Sequence, residues 1–302
     1  MTAIPTDSSE IRIIHLRDGR SLGYAEYGAP GGKPVFHFNG FPGTRLEAKL
    51  IADAAARTGV RLIGIDRPGL GLSDFLPGRK ILDWPDDVIE LADTLGLDRF
   101  SIIGVSGGGP FSAACAFKIS ERLVACGIIA GTPPMDAGAE GITRSNRIMG
   151  FVARRLPLLF RILMWWSIGR IRQDPERLAA MIEKQAQSLP EPDKQLFGKH
   201  EIKQFFVEQA AEAFRQGAKG PAWEGKLLFG EPWGFTPEDI SMENVHLWHG
   251  ELDATVPVSM GRAVADRIPH CQAKFYPHEA HLSLLLNNAD EILMELCLEQ
   301  TG

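Results

Sequence analysis

Ser106 has a glycine two residues before it and two after it, in Gly104-Val105-Ser106-Gly107-Gly108. A serine on a sharp turn of this kind could do nucleophilic chemistry. The turn lifts its hydroxyl clear of the surrounding chain. The Gly107 amide, at the start of a helix, could face a developing negative charge. Such a turn needs an unusual backbone angle at the serine, and flanking glycines remove the Cβ atoms that would collide. A glycine-rich turn with no chemistry would carry the same residues, so the flanking elements matter. The stretch 100–118, FSIIGVSGGGPFSAACAFK, supplies both: a β-branched apolar run for a buried strand before, and an Ala-rich helix former, Ser112–Lys118, after. The Gly-x-Gly-x-x-Gly and Gly-Lys-Ser/Thr spacings of phosphate-cradling loops are missing here.

The elements that must position this serine follow in chain order. Ile11–Leu16 and Leu22–Tyr27 predict a hairpin across Asp18-Gly19-Arg20. Strands are expected at Pro34–Phe38, Val60–Ile65, Val124–Ala130, Val245–Trp248 and Ala273–Tyr276. Helical spacing is read over Leu46–Arg57, Ile81–Leu95, Ser259–Arg267 and His281–Leu298. This alternation predicts an α/β fold: a mostly parallel central sheet with helices on both faces. Ligands of such sheets bind beyond the carboxyl ends of the strands, where Asn39–Gly43, Asp66–Asp74 and Ser106 all fall. Between about Thr132 and Asp239 the alternation stops, and helical patterns appear at Arg144–Ile168, Pro175–Ser188 and Glu201–Gln216. The expected division is therefore a core of residues 1–131 and 240–302, with a helical cap inserted at 132–239. The most apolar part, Phe151–Trp166, reads as a cap helix packed on the core or as an apolar pocket wall. Arg154, Arg155 and Arg161 make it too broken for a membrane span.

Composition bounds the partners. Hydrophobic residues are 44% of the chain and the net charge is −6 without a basic stripe, which argues against nucleic acid. Cys115, Cys126, Cys271 and Cys297 are far apart, in apolar segments, and read as reduced core residues of a cytoplasmic protein. The N-terminus MTAIPTDSSE lacks the pattern of a signal peptide. His246 and His249 fall on opposite faces of a strand, so a metal site is not expected.

With these loops in view, the chain resembles the α/β-hydrolase fold superfamily over nearly its whole length apart from the insertion. Gly104–Gly108 is similar to the family's nucleophile elbow, which makes Ser106 the nucleophile. Gly250-Glu251-Leu252-Asp253-Ala254-Thr255-Val256-Pro257 matches the family's Gly-x-x-Asp-x-x-x-Pro acid loop, which makes Asp253 the acid. His281, in Ala280-His281-Leu282-Ser283, matches the base after the last strand, and the order Ser…Asp…His is the one expected for this fold. Asn39-Gly40-Phe41-Pro42-Gly43 resembles the family's oxyanion loop with Asn39 in place of the usual histidine. The resemblance assigns the oxyanion donors to the backbone N–H groups of Phe41 and Gly107. Candidate substrate contacts are Asn39, Pro42, Trp165 and Trp166. Asp136 is an alternative acid position, Glu251 has the wrong offset from Pro257, and His278 competes with His281. Asp66, Arg67 and Asp74 resemble a loop-shaping Asp-Arg-x-Gly-x-Gly-x-Ser motif.

The implied activity is a serine hydrolase acting on a carboxylic ester or lactone with a hydrophobic acyl or alcohol part, as in carboxylesterases. Trp223, Trp233 and Phe235 add to the aromatic content of the insertion. The partner implied is a small molecule, and the mechanism needs no metal or organic cofactor. Carbon–carbon bond hydrolysis, cofactor-free perhydrolysis and aminopeptidase action use the same triad. Proline iminopeptidase relatives commonly carry a tryptophan where Gly107 stands. A hydrolase-like ligand-binding receptor keeps the triad and turns over slowly.

Overall fold

Residues 33–38, 60–65, 100–105, 123–129 and 245–250 are short segments rich in apolar side chains on both strand faces, and nearly all of their residues are buried. In the computed structural model they pair into one eight-stranded sheet. The structure describes residues 11–136, 144–156, 158–165 and 175–297. The strands are β1 (Ile11–His15), β2 (Ser21–Gly28), β3 (Lys33–Phe38), β4 (Val60–Ile65), β5 (Phe100–Val105), β6 (Leu123–Ile129), β7 (Val245–Gly250) and β8 (Gln272–Tyr276). They lie in the order β1-β2-β4-β3-β5-β6-β7-β8. The β1–β2 and β2–β4 pairs are antiparallel and the rest are parallel. The α/β architecture expected from the alternation is the one observed.

Period-two alternation divides the core between the two faces. Phe36, Phe38, Phe100 and Ile102 point to one side, where they pack with α2 (Trp84–Thr94) and α3 (Gly109–Lys118). Val35, Ile103 and Val105 point to the other, against α1 (Ala52–Arg57) and α11 (His281–Leu296). The chain reverses its winding between β3 and β5. Phe38 pairs with Gly104 there, so the loops that leave both strands start side by side.

Between β6 and β7 the described chain is helical: α4 (Arg144–Arg155), α5 (158–165), α6 (Pro175–Ala186), α7 (Glu191–Phe197), α8 (His200–Ala213) and α9 (Lys219–Gly230). α10 (Val258–Ala265) then follows β7. The structure departs from the sequence pattern in three places. The pattern read over 144–168 is two helices in its described part, interrupted at Leu156, which precedes a proline in the sequence, and residues 166–168 lie outside the described residues. Leu46–Arg57 begins as a 3-10 turn, Arg45–Ile51, before α1. Two helices, α7 and α9, were not expected. α9 contains Gly220, Pro221, Gly225 and Gly230, residues that normally argue against a helix. Its glycines serve packing instead. A Cβ on Gly220 would fall 1.9 Å from the Gly69 carbonyl oxygen, and one on Gly225 would fall 2.6 Å from the Phe160 ring.

Candidate active site

β5 ends by placing Ser106 at φ +52°, a left-handed conformation that non-glycine residues seldom adopt. The flanking glycines allow it. A Cβ on Gly104 would lie 2.3 Å from Ser112 Oγ, and one on Gly108 would lie 2.1 Å from the Phe38 carbonyl oxygen. α3 therefore starts directly against the end of β3, and Ser106 is half-buried beside the β3 loop. A Cβ on Gly40 would sit 3.5 Å from Ser106 Cβ.

The Asn39–Gly43 loop meets the serine turn at its other residues too. A Cβ on Gly107 would lie 2.8 Å from Phe41 Cβ and 3.1 Å from Phe41 N, so these two backbones are close neighbours. Asn39 is fully buried and donates from Nδ2 to the Gly40 carbonyl at 2.8 Å, bracing the loop. Pro42, joined to Phe41 by a cis peptide bond, is exposed. Arg67 holds the loop from beneath, donating to the carbonyls of Asn39 at 2.7 Å and Gly40 at 3.2 Å. The Nη2 that reaches Gly40 also donates to Glu224 of α9 at 2.6 Å, Nε donates to it at 2.9 Å, and Arg79 donates to the same carboxylate at 2.8 Å. Arg67 and Glu224 are fully buried. Burial pushes the Glu224 carboxyl up, and the two guanidiniums more than reverse that, leaving it below its ordinary value. Asp66 and Asp74 are also structural: Asp66 accepts from the backbone of Arg45 and Leu72, and Asp74 from that of Ser21.

Asp253 and His281 come together at the ends of β7 and β8. His281 Nδ1 lies 2.7 Å from Asp253 Oδ2. The other carboxylate oxygen, Oδ1, accepts the N–H groups of Thr255 at 2.8 Å and Val256 at 2.9 Å. His249, the second histidine of the His-x-x-His, is buried beside it, with Nε2 3.4 Å from Asp253 Oδ2 and 2.8 Å from the Val256 carbonyl. Burial raises the Asp253 carboxyl, but His281 and His249 overcome this and hold it well below the usual carboxylate range. His281 is shifted the other way. Burial alone would disfavour its charge, whereas Asp253, then Asp193 and Glu47, raise it above its ordinary value.

Two of those carboxylates escaped sequence reasoning. Asp193 of α7 accepts three N–H groups at the start of α11, from His281 at 3.1 Å, Leu282 at 3.0 Å and Ser283 at 2.8 Å. It lies 88 residues before His281, and no local motif marks it. Glu47 accepts the Gly40 N–H at 3.0 and 3.1 Å from its two oxygens. Burial, only partly offset by the Gly40 bond, Arg67 and His281, pushes its carboxyl up to about 7.

The rival residues are engaged elsewhere. Asp136 is an exposed partner of Arg267, Glu251 pairs with Arg262, and His278 is exposed on the rim of a cleft between α7 and the loop after β8. Trp165 is 66% exposed, and Trp166 lies outside the described residues. Trp233 and Phe235 pack in the core, Phe235 stacking on Phe117, while the Trp223 indole donates to the Arg79 carbonyl at 3.0 Å. The aromatic neighbours of the serine turn are different: Phe41 stands edge-on to Phe229 with centroids 5.7 Å apart. Leu228 Cδ1 would be 3.1 Å from a Cβ on Gly107. All four cysteines are free. Among the described residues no cluster of three His, Cys, Asp or Glu side chains is placed to hold a metal ion.

A strained serine between β5 and α3, with an Asp–His pair on the ends of β7 and β8, defines the class of protein. The chain belongs to the α/β-hydrolase fold family, whose sequence model matches residues 33–288. Its fold is similar to that of a bromoperoxidase from Bacillus anthracis (TM-score 0.70, 20% identity, 96% of this chain and 99% of that one). It is also similar to an esterase from Rhodococcus sp. ECU1013 (0.66, 20%, 96% and 99%) and an enol-lactonase from Burkholderia xenovorans LB400 (0.65, 17%, 95% and 99%). No curated protein sequence matches it.

Proposed function

We propose that this α/β hydrolase is a serine esterase or lactonase that works through an acyl-enzyme on Ser106. The observation that carries this reading is the 2.7 Å contact between His281 Nδ1 and Asp253 Oδ2. With Nδ1 engaged, Nε2 is the ring atom that exchanges the proton. Ser106 Oγ attacks the carbonyl carbon and its proton passes to His281 Nε2. Asp253 keeps the ring in the required tautomer and stabilises the imidazolium. The carbonyl oxygen becomes an oxyanion, held by the N–H groups of Phe41 and Gly107. Collapse breaks the ester C–O bond, and the alkoxide leaves with the proton from His281. Water then repeats the sequence on the acyl-enzyme and frees the acid.

Residues 132–239 act in this reading as the cap that shapes the pocket. Phe41 and Leu228 beside the serine turn, with Phe229 packed on the Phe41 ring, favour a medium-sized hydrophobic acyl or alcohol group in a small-molecule substrate. The esterase and the lactonase of similar fold agree with ester chemistry.

The test is labelling with a fluorophosphonate probe, wild type beside Ser106→Ala, followed by a chain-length series of p-nitrophenyl esters. Rapid labelling that disappears in the variant is expected, with medium acyl chains preferred. A folded wild-type protein that does not label would overturn the acyl-enzyme reading in favour of a ligand-binding role. Acetate outpacing every longer chain would overturn the hydrophobic pocket.

A further inference from the structure

Residues 141–173 carry seven arginines and no aspartate or glutamate, in a chain whose net charge is −6. Within this segment α4 and α5 divide their apolar residues between two sides. Ala153 and Phe160 are buried and pack with Ala222 of α9, joined by the partly buried Val152, Met164 and Phe229. The other side faces solvent: Ile148 is 56% exposed, Phe151 60%, Leu158 67% and Trp165 66%, with Leu156, Leu159 and Ile162 also exposed. Leu158, Ile162 and Trp165 recur at helical spacing, so they form a stripe on α5. Arg154, Arg155 and Arg161 are exposed beside these residues. Exposed large apolar side chains gathered on neighbouring helices and rimmed by charge mark an interaction site.

We infer that the outer face of α4 and α5 docks on an anionic lipid surface. Apolar side chains with a tryptophan, flanked by arginines and free of acids, suit a helix lying in the headgroup layer. Each arginine gains energy near anionic headgroups. No described helix is long and apolar enough to cross a membrane. A second copy of the chain fits less well, because a two-fold interface through this face would set arginines against arginines.

The experiment is vesicle flotation of the full-length protein, with phosphatidylcholine alone and with phosphatidylcholine mixed with phosphatidylglycerol. Wild type is expected to float with the phosphatidylglycerol vesicles and to be released by high salt. Reversal of Arg154 and Arg155 together (R154E, R155E) should weaken that binding at least about tenfold. Phe151→Ser with Leu158→Ser should weaken it as well, with circular dichroism confirming that each variant is folded. Failure of folded wild type to float would overturn the inference. So would equal, salt-independent binding to both vesicle types. Sedimentation showing a dimer that the same substitutions dissolve would also overturn it, by assigning the face to self-association. If a variant does not fold, the salt and headgroup dependence of wild type decides the matter.

Discussion

Asp193 accepts the backbone N–H of His281, and its two oxygens together take the first three N–H groups of α11. The residue before this helix is an alanine, which has no side chain able to cap it. A carboxylate from α7 therefore supplies from a distance what an N-cap normally supplies locally. Asp193→Ala should cost about 1–2 kcal/mol of stability, read as a lowered denaturation midpoint. Asp193→Asn keeps acceptor capacity and loses the charge that helps hold His281 protonated. It should move the acid limb of kcat/KM to lower pH. A loss of stability with an unmoved pH profile would make Asp193 a helix cap and nothing more.

In the proposed mechanism the direction of the His281 shift sets the pH range of activity. A protonated His281 could not accept the serine proton, so the rate is expected to fall as pH drops through the pKa of the folded enzyme. That pKa is raised above the ordinary 6.5. The acid limb of kcat/KM should therefore have its midpoint above about 6.5, measured on a p-nitrophenyl ester. A midpoint below that value would contradict the influence assigned to Asp253 and Asp193.

Glu47 makes the opposite kind of prediction, about stability. In the folded chain its carboxyl is raised from 4.5 to about 7. Between those values the folded state keeps the proton and the unfolded chain releases it, so stability is lost as pH rises through this window. Above it the loss is complete, roughly 3 kcal/mol at most. Glu47→Gln can still accept the Gly40 N–H and has no charge to bury. The variant should gain on wild type in urea midpoint between about pH 5 and about pH 8. An unchanged difference across that range would mean that Glu47 ionises freely in the folded protein.

Gly107 has an ordinary negative φ, so an alanine there is limited by space alone. Its Cβ would meet Phe41 Cβ at 2.8 Å and Phe41 N at 3.1 Å, forcing the proposed oxyanion donors apart. Gly107→Ala should lower kcat about 10²-fold while the protein remains folded. Steady-state kinetics beside a thermal melt separates the two effects. An alanine variant with full kcat would exclude Phe41 N–H as a donor.

The inner strands were legible because strands buried on both faces leave apolar-rich runs in the sequence. The loops after β3, β5, β7 and β8 were legible because glycine and proline mark tight turns. Other features left no local trace. Asp193 finds its partners 88 to 90 residues away, and Arg67 finds Glu224 at a separation of 157. α9 was hidden by the same glycines that let it approach Gly69 and the Phe160 ring. Its helical form depends on tertiary packing that local propensity does not record.

Glu224 also bears on how substrate range can be changed by transplanting a helical segment from another hydrolase. It is the carboxylate that α9 brings to two buried guanidiniums, Arg67 and Arg79, and Arg67 in turn grips the carbonyls of Asn39 and Gly40. A donor segment without an acid at this position would strand two cations stacked over Phe111 and slacken the loop that carries Phe41. Compatible segments are those that bring this acid, or arrive together with apolar replacements at 67 and 79.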